Sequence, residues 1–249
     1  HFGDAGIHAS VAPESAEGQA ARRQLAIGVL ALVGLAGSVA ILVRQGVLSV
    51  EAVTSAFSWV YLIVVIAFFT WLFMAGQWTK EERKRLIVIV VLFAGAAVFW
   101  SAFEQAASTL NLFAAQNTRN SIFGWTFPSS WFQSVNALMI IIFAPVFAWI
   151  WISLGKRDPS SPAKFAFGLV SVGLGFVVMV GAAQASANGV LVSPMWLVLT
   201  YLLHTIGELS LSPVGLSSMT KLAPDRVKGM MMGVWFLAAS VGNLIAGGV

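Results

Sequence analysis

Two glutamates, Glu104 and Glu208, sit inside stretches that otherwise read as membrane-spanning helix. The first lies in Leu86–Ala115 and the second in Val192–Met219, and every other acid falls outside the apolar runs. A carboxylate at membrane depth costs about 2.5–3.5 kcal/mol on insertion scales. Residues kept against that cost usually face a water-filled cavity, where they bind substrate or relay protons. Around the second acid the chain reads HTIGELSLSPVGLSS. His204, Glu208 and Ser212 are spaced i, i+4, i+8, so they share one helical face, and Pro213 interrupts the hydrogen-bond ladder beside them. A structural alternative has His204 donating to a neutral Glu208, and His204 itself reads as a packed, hydrogen-bonded side chain before a proton carrier. A zinc site is not expected, because two side chains leave the metal without further ligands.

The first acid lies in FWSAFEQAASTLNLF, where the same arithmetic puts Trp100, Glu104, Ser108 and Asn111 on one face. No Lys or Arg occurs in any span. A buried carboxylate wants a cation or must be protonated, so a cationic partner for either glutamate is expected from outside this chain. In the fourth span Gln133 and Asn136 are amides near the helix start, and each suits a packing hydrogen bond or a ligand contact equally.

These side chains need a membrane scaffold to hold them. Hydrophobic residues make up 58% of the chain and charged residues only 10%, against about 25% charged in soluble domains, so this is an integral membrane protein. Cysteine is absent, which excludes disulfides and thiolate metal sites. The 14 Lys and Arg are too few for a nucleic-acid footprint, and no nucleic acid is expected as a partner. The chain opens on His1 and ends in an apolar run at Val249, so both ends are expected to be cut and no signal peptide can be read.

Residues 1–20 are small and polar without periodicity, as in a linker. Seven apolar segments follow, each near the ~20 residues that cross a bilayer: Gln24–Val43, Ala52–Trp78, Leu86–Ala115, Ser130–Leu154, Phe165–Ala187, Val192–Met219 and Gly229–Val249. Twelve of the 14 basic residues fall on one side of this arrangement, leaving Arg44 and Arg119 for the other. Cytoplasmic loops hold the Lys/Arg excess, which puts the linker in the cytoplasm. Trp78, Trp125, Trp131, Trp151 and Trp196 lie near span ends, as interfacial rings should, whereas Trp100 and Trp235 lie well inside. Gly168, Gly173, Gly175, Gly229 and Gly233 are expected where helices approach closely. Pro145 and Pro213 fall inside spans and are expected to kink them.

Five strings agree in order and spacing with one family: Phe99-Trp-Ser-Ala-Phe-Glu-Gln105, Thr109-Leu-Asn-Leu-Phe113, Gly124-Trp-Thr-Phe-Pro-Ser-Ser-Trp-Phe-Gln-Ser-Val-Asn136, Gly207-Glu-Leu-Ser-Leu-Ser-Pro-Val-Gly-Leu-Ser217 and Gly229-Met-Met-Met-Gly-Val-Trp-Phe-Leu237. Over roughly residues 80–249 the chain resembles the proton-dependent oligopeptide transporter (POT/PTR) family of the major facilitator superfamily. The resemblance implies an all-α membrane fold. Residues 80–249 would be helices seven to eleven, residues 21–79 a transmembrane hairpin inserted between the halves in bacterial members, and helix twelve and the N-terminal half would be missing.

It also implies roles. Glu208 looks like the carboxylate that meets a peptide's amino terminus, with Asn136 beside it. Glu104 looks like a proton-coupling acid, paired in the family with an arginine of the first helix. Trp100 and Trp235 look like walls of the side-chain pockets, and Ser212 like a further contact. The implied partners are a di- or tripeptide, the lipid bilayer of the bacterial cytoplasmic membrane and the absent half. Protons would be the coupling ion, with no cofactor.

Other readings use the same residues. A relative carrying nitrate would find Glu208 a poor contact, since both are anionic. An intramembrane enzyme would need a nucleophile and base or metal ligands, and His204 with Glu208 is too thin a set. A non-transporting scaffold or sensor would satisfy the spans alone.

Overall fold

The structure, a computed structural model, describes residues 16–47, 49–74 and 76–247. Most of the expected linker, residues 1–15, lies outside the described residues, and residues 16–20 already belong to the first helix. Seven helices or broken helices are long and apolar enough to cross a membrane among the described residues. The seven-span reading therefore holds.

The chain separates into two compact units whose boundary, Ile63 to Val64, falls within a helix. The first unit holds α1 (Ala16–Arg44) and the start of α2 (Val50–Met74). From Ile27 to Leu42 helix α1 exposes apolar side chains all round, among them Ile27, Val29, Leu30 and Leu35. A helix apolar all round is stable against lipid and not against water.

The second unit holds the rest. Within it the end of α2 packs on α3 (Lys80–Phe103), with the Phe69 and Phe93 rings 4.8 Å apart. Thr79 and Glu82 start α3 as a capping box: the Thr79 hydroxyl accepts from the Glu82 backbone N–H, and the Glu82 carboxylate accepts from the Thr79 backbone N–H. Then follow α4 (Thr109–Gln116), α5 (Phe132–Leu154), α6 (Ser161–Ser186), α7 (Met195–Leu222) and α8 (Met231–Ala246). Helix α7 is central, touching α3, α5, α6 and α8.

Helix α6 shows how an all-apolar segment divides its faces. Phe165, Gly168, Val172, Gly175, Met179 and Ala182 are buried, while Phe167, Val170, Leu174, Val177 and Val180 are exposed. Both stripes run at helical spacing. The exposed one suits hydrocarbon, and the buried one is lined with glycine so that α7 can come close. Gly168 and Gly207 face each other backbone to backbone, since a Cβ on either would come within 2.8 Å of the other's carbonyl oxygen. Gly175 lies under the His204 ring.

The glycine expectation needs correction. Gly168 and Gly175 are close-approach sites, but nothing comes within 4 Å of a Cβ built on Gly173, Gly229 or Gly233. The tight contacts fall instead at Gly207, Gly215 and Gly242, the last against the α3 backbone at Ala97 and Ser101. Small residues at a four-residue spacing mark a possible contact face, and only the packing decides which faces are used. Pro145 and Pro213 both lie within helices that continue through them.

The third span also departs from its expected form. It is not one helix over Leu86–Ala115. It breaks into α3, a 3-10 turn at Glu104–Ala106, and α4. Ser108 leaves the helical region, with φ −110° and ψ −91°. No proline or glycine causes the break. The Gln105 side-chain oxygen accepts from both the Ser108 hydroxyl at 3.0 Å and the Thr109 hydroxyl at 2.6 Å. Such local side-chain bonds compete with the helical ladder.

Between α4 and α5 lies a small hairpin that hydrophobic periodicity did not reveal, Ser121–Ile122 paired with Trp125–Thr126. Its turn residues, Phe123 and Gly124, have φ of 50° and 81°, as a two-residue primed turn requires. Trp125 and Trp131 are exposed beside it, with their rings 5.1 Å apart. Interfacial rings of this kind sit at headgroup depth.

Candidate functional site

The most polar ground inside the second unit is the stretch of α7 that carries Tyr201, His204, Thr205 and Glu208. Tyr201, Thr205 and Glu208, spaced i, i+4 and i+7, point one way from a single helix, while His204 is turned into α6. Asn136, one turn into α5, reaches across to that shared face. Its side-chain amide donates to the Glu208 carboxylate at 3.2 Å and to the Thr205 hydroxyl at 3.0 Å. An amide carries two N–H donors, and an ionised carboxylate can only accept, so the nitrogen side must face Glu208. Thr205 in turn donates to the Tyr201 carbonyl at 2.8 Å. Glu208 is partly exposed, whereas Thr205 is fully buried. The carboxylate thus sits at the edge of the packed interior, fixed on one side and open to a ligand on the other.

Of the two amides near the start of α5, Asn136 makes these contacts, while Gln133 is exposed. The side-chain alternative for His204 does not hold. Among the described residues His204 makes no hydrogen bond to Glu208. The ring is packed instead between Gly175, Phe103 and Phe176, with centroids 6.1 Å and 5.3 Å from the two phenyl rings. The i, i+4 spacing puts two residues on one side of a helix but turns them by about 40°, enough to send one into α6 and the other towards α5.

Glu104 is partly exposed, and among the described residues no hydrogen bond or ion pair engages its side chain. It opens the 3-10 turn. Because the helix breaks after it, the expected shared face of Trp100, Glu104, Ser108 and Asn111 does not exist as one helical stripe. Trp100 packs edge-on against Phe99 and Phe103, and its indole N–H is buried without a partner among the described residues. The Asn111 side-chain oxygen and the Ser212 hydroxyl are likewise buried and unpaired.

Trp235 is 5% exposed and lies over Gly215, between α7 and α8. The structure therefore brings together Glu208 and Asn136, with Thr205 and Tyr201 buried behind them, and places Trp235 in the interior over Gly215, two turns along α7 from Glu208. The spacing of Tyr201 and Thr205 from Glu208 was the signal available for them. Two cavities of about 500 and 540 Å³ open elsewhere, one among Trp125, Trp131 and Leu138, the other among Ser108, Asn111 and Ala246. Neither is lined by Glu104 or Glu208.

Comparison with known proteins gives one answer. The POT family profile, PTR2, matches residues 11–249. The peptide transporter YePEPT of Yersinia enterocolitica is 46% identical over 225 residues, covering 88% of this chain and 44% of that protein. A di-/tripeptide transporter of Lactococcus lactis is 36% identical over 188 residues, with 74% of this chain and 38% of the relative covered. A crystal structure of a peptide transporter POT bound to sulfate superposes with a TM-score of 0.81 at 40% identity, covering 92% of this chain and 46% of that one. The chain spans about half the length of the curated relatives it matches.

Proposed function

The chain belongs to the POT family, and from that premise we propose that it forms the C-terminal half of a symporter that carries di- and tripeptides with protons. In this reading residues 1–20 are a cytoplasmic linker, residues 21–79 an inserted hairpin, and residues 80–249 helices seven to eleven of a major facilitator fold. The membrane is the bacterial cytoplasmic membrane, with the basic loop clusters inside. The matched relatives are transporters, not enzymes.

The observation that carries the reading is the Asn136–Glu208 pair. A peptide's ammonium group offers three donors and a positive charge, and Glu208 offers acceptors already held in place by Asn136. Preorganised acceptors lose little freedom on binding, which favours affinity. The peptide carboxylate needs cations, and no span of this chain supplies one. Those cations come from the N-terminal half, so the substrate bridges the two halves. Trp100, Trp235 and Ser212 would shape the space around the peptide side chains as the helices rearrange.

Glu104 supplies the coupling. As an anion it clamps a cation of the N-terminal half. Once protonated it loses that attraction, and the halves part on one side. Alternating access then follows from rocking of the halves about a midplane site. Protons are the coupling ion and no cofactor takes part.

The test is proteoliposome uptake by this chain assembled with an N-terminal six-helix half. An inward-directed proton gradient should drive dipeptide accumulation above equilibrium. Uptake of dipeptide that only equilibrates, with or without the gradient, overturns proton coupling. A complete lack of dipeptide binding overturns the substrate class.

A further inference from the structure

Glu208 is connected within this chain to the turn that Glu104 opens, through Asn136 and two buried side chains, Thr205 and Tyr201. Glu208 accepts from Asn136, whose amide also donates to Thr205; Thr205 donates to the Tyr201 carbonyl. The Tyr201 phenol then crosses to the broken third span and donates to the Ala106 carbonyl at 3.3 Å. Ala106 closes the 3-10 turn that Glu104 opens. On the other flank of Glu104, the Phe103 ring lies against the His204 ring. One face of α7 thus grips the residues on both sides of Glu104 and carries Glu208 one to two turns further along.

We infer that Tyr201 and Thr205 are positioning residues that transmit displacement of α7 at Glu208 to the turn holding Glu104. The inference rests on the proposed transport function. Three features support it beyond proximity. Thr205 is 0% and Tyr201 2% exposed, so water cannot substitute for their partners. The contact lands on a 3-10 turn flanked by non-helical Ser108, and short 3-10 stretches within a helix often mark hinges. Glu104 has no partner among the described residues to hold it independently. When an ammonium group engages Glu208 and α7 shifts, the buried phenol moves the turn, and Glu104 changes its reach towards a cation across the cavity. Substrate occupancy thereby sets where the proton-carrying group stands.

Tyr201→Phe removes only the hydroxyl, and Thr205→Val replaces the hydroxyl by a methyl of similar size. Both would be made in this chain assembled with the N-terminal half. Dipeptide counterflow at equal pH and accumulation under an imposed pH gradient would be measured in the same proteoliposomes. Counterflow should stay within about twofold of wild type and accumulation should fall about tenfold, within the usual range of coupling between sites. Thr205→Ser should restore accumulation. If Tyr201→Phe does not fold, Thr205→Val decides alone. An unchanged ratio of accumulation to counterflow overturns the inference, including the case where both fall together, because the hydroxyls then only support the fold. Wild-type protein that accumulates no dipeptide overturns the functional reading itself, which separates the two failures.

Discussion

Glu208 accepts one hydrogen bond from Asn136 and keeps the rest of its carboxylate for a ligand. Replacing it with glutamine keeps the shape and removes the charge. A charged hydrogen bond contributes about 1.5–3 kcal/mol, so Glu208→Gln should weaken dipeptide binding about tenfold to a hundredfold. Titration of the purified, assembled variant checks this, and near-normal affinity counts against the assignment. Glu104→Gln should behave differently. The amide fills the same space but cannot cycle a proton, so counterflow should persist while gradient-driven accumulation disappears. Accumulation at the wild-type rate would remove Glu104 from the coupling role. Both acids were legible in the sequence because a carboxylate inside an apolar run stands out against its surroundings. Their partners were less so. Asn136 is 72 residues from Glu208 in sequence, and nothing in the spacing separated it from Gln133. For His204 the packed reading holds and the bond to Glu208 does not, because periodicity sees a shared face but not the 40° that turns the imidazole into α6.

At the scale of elements, apolar length and charge placement showed the seven spans, and close packing showed the rest. The break at Glu104–Ala106 contains no proline or glycine, and there the Gln105 side chain accepts from the Ser108 and Thr109 hydroxyls, bonds that compete with the helical ladder. The hairpin at Ser121–Thr126 is too short to show a strand period. Glycine positions make the point quantitatively. Gly242 presses on the α3 backbone, so Gly242→Ala forces a clash that neither helix can absorb by rotating a side chain. Overpacking of this kind costs about 1–3 kcal/mol. Gly173→Ala adds a methyl into open space and removes glycine's helix penalty of roughly 1 kcal/mol. Thermal unfolding in detergent should therefore show Gly242→Ala clearly less stable than wild type and Gly173→Ala equal or slightly more stable. Equal stability of the two would mean that the α3–α8 contact is looser than described.

At the scale of the whole molecule, the chain carries two carboxyl side chains within its spans and no Lys or Arg there. The hairpin residues 21–79 supply no charge at membrane depth, so deleting them should leave measurable peptide transport. The deletion will still lower stability, because the end of α2 contributes Leu72, 1% exposed, and the Phe69–Phe93 contact to the second unit. Transport per folded molecule is the deciding readout, and a folded deletion protein that binds no peptide would contradict the division of labour. Sequence resemblance made the family legible, because matching strings carry order and spacing, and the chain spans about half the length of the relatives it matches.

The central claim is that Glu208 holds the amino end of a peptide, and blocking that end tests it most directly. Dipeptide and its N-acetylated form, which lacks the ammonium charge, would be titrated against the assembled wild-type transporter and against Glu208→Gln. Wild type should prefer the free amine by about tenfold or more, and the variant should bind the two forms nearly equally. If the variant keeps the wild-type preference, the ammonium group is read elsewhere and Glu208 is not its partner.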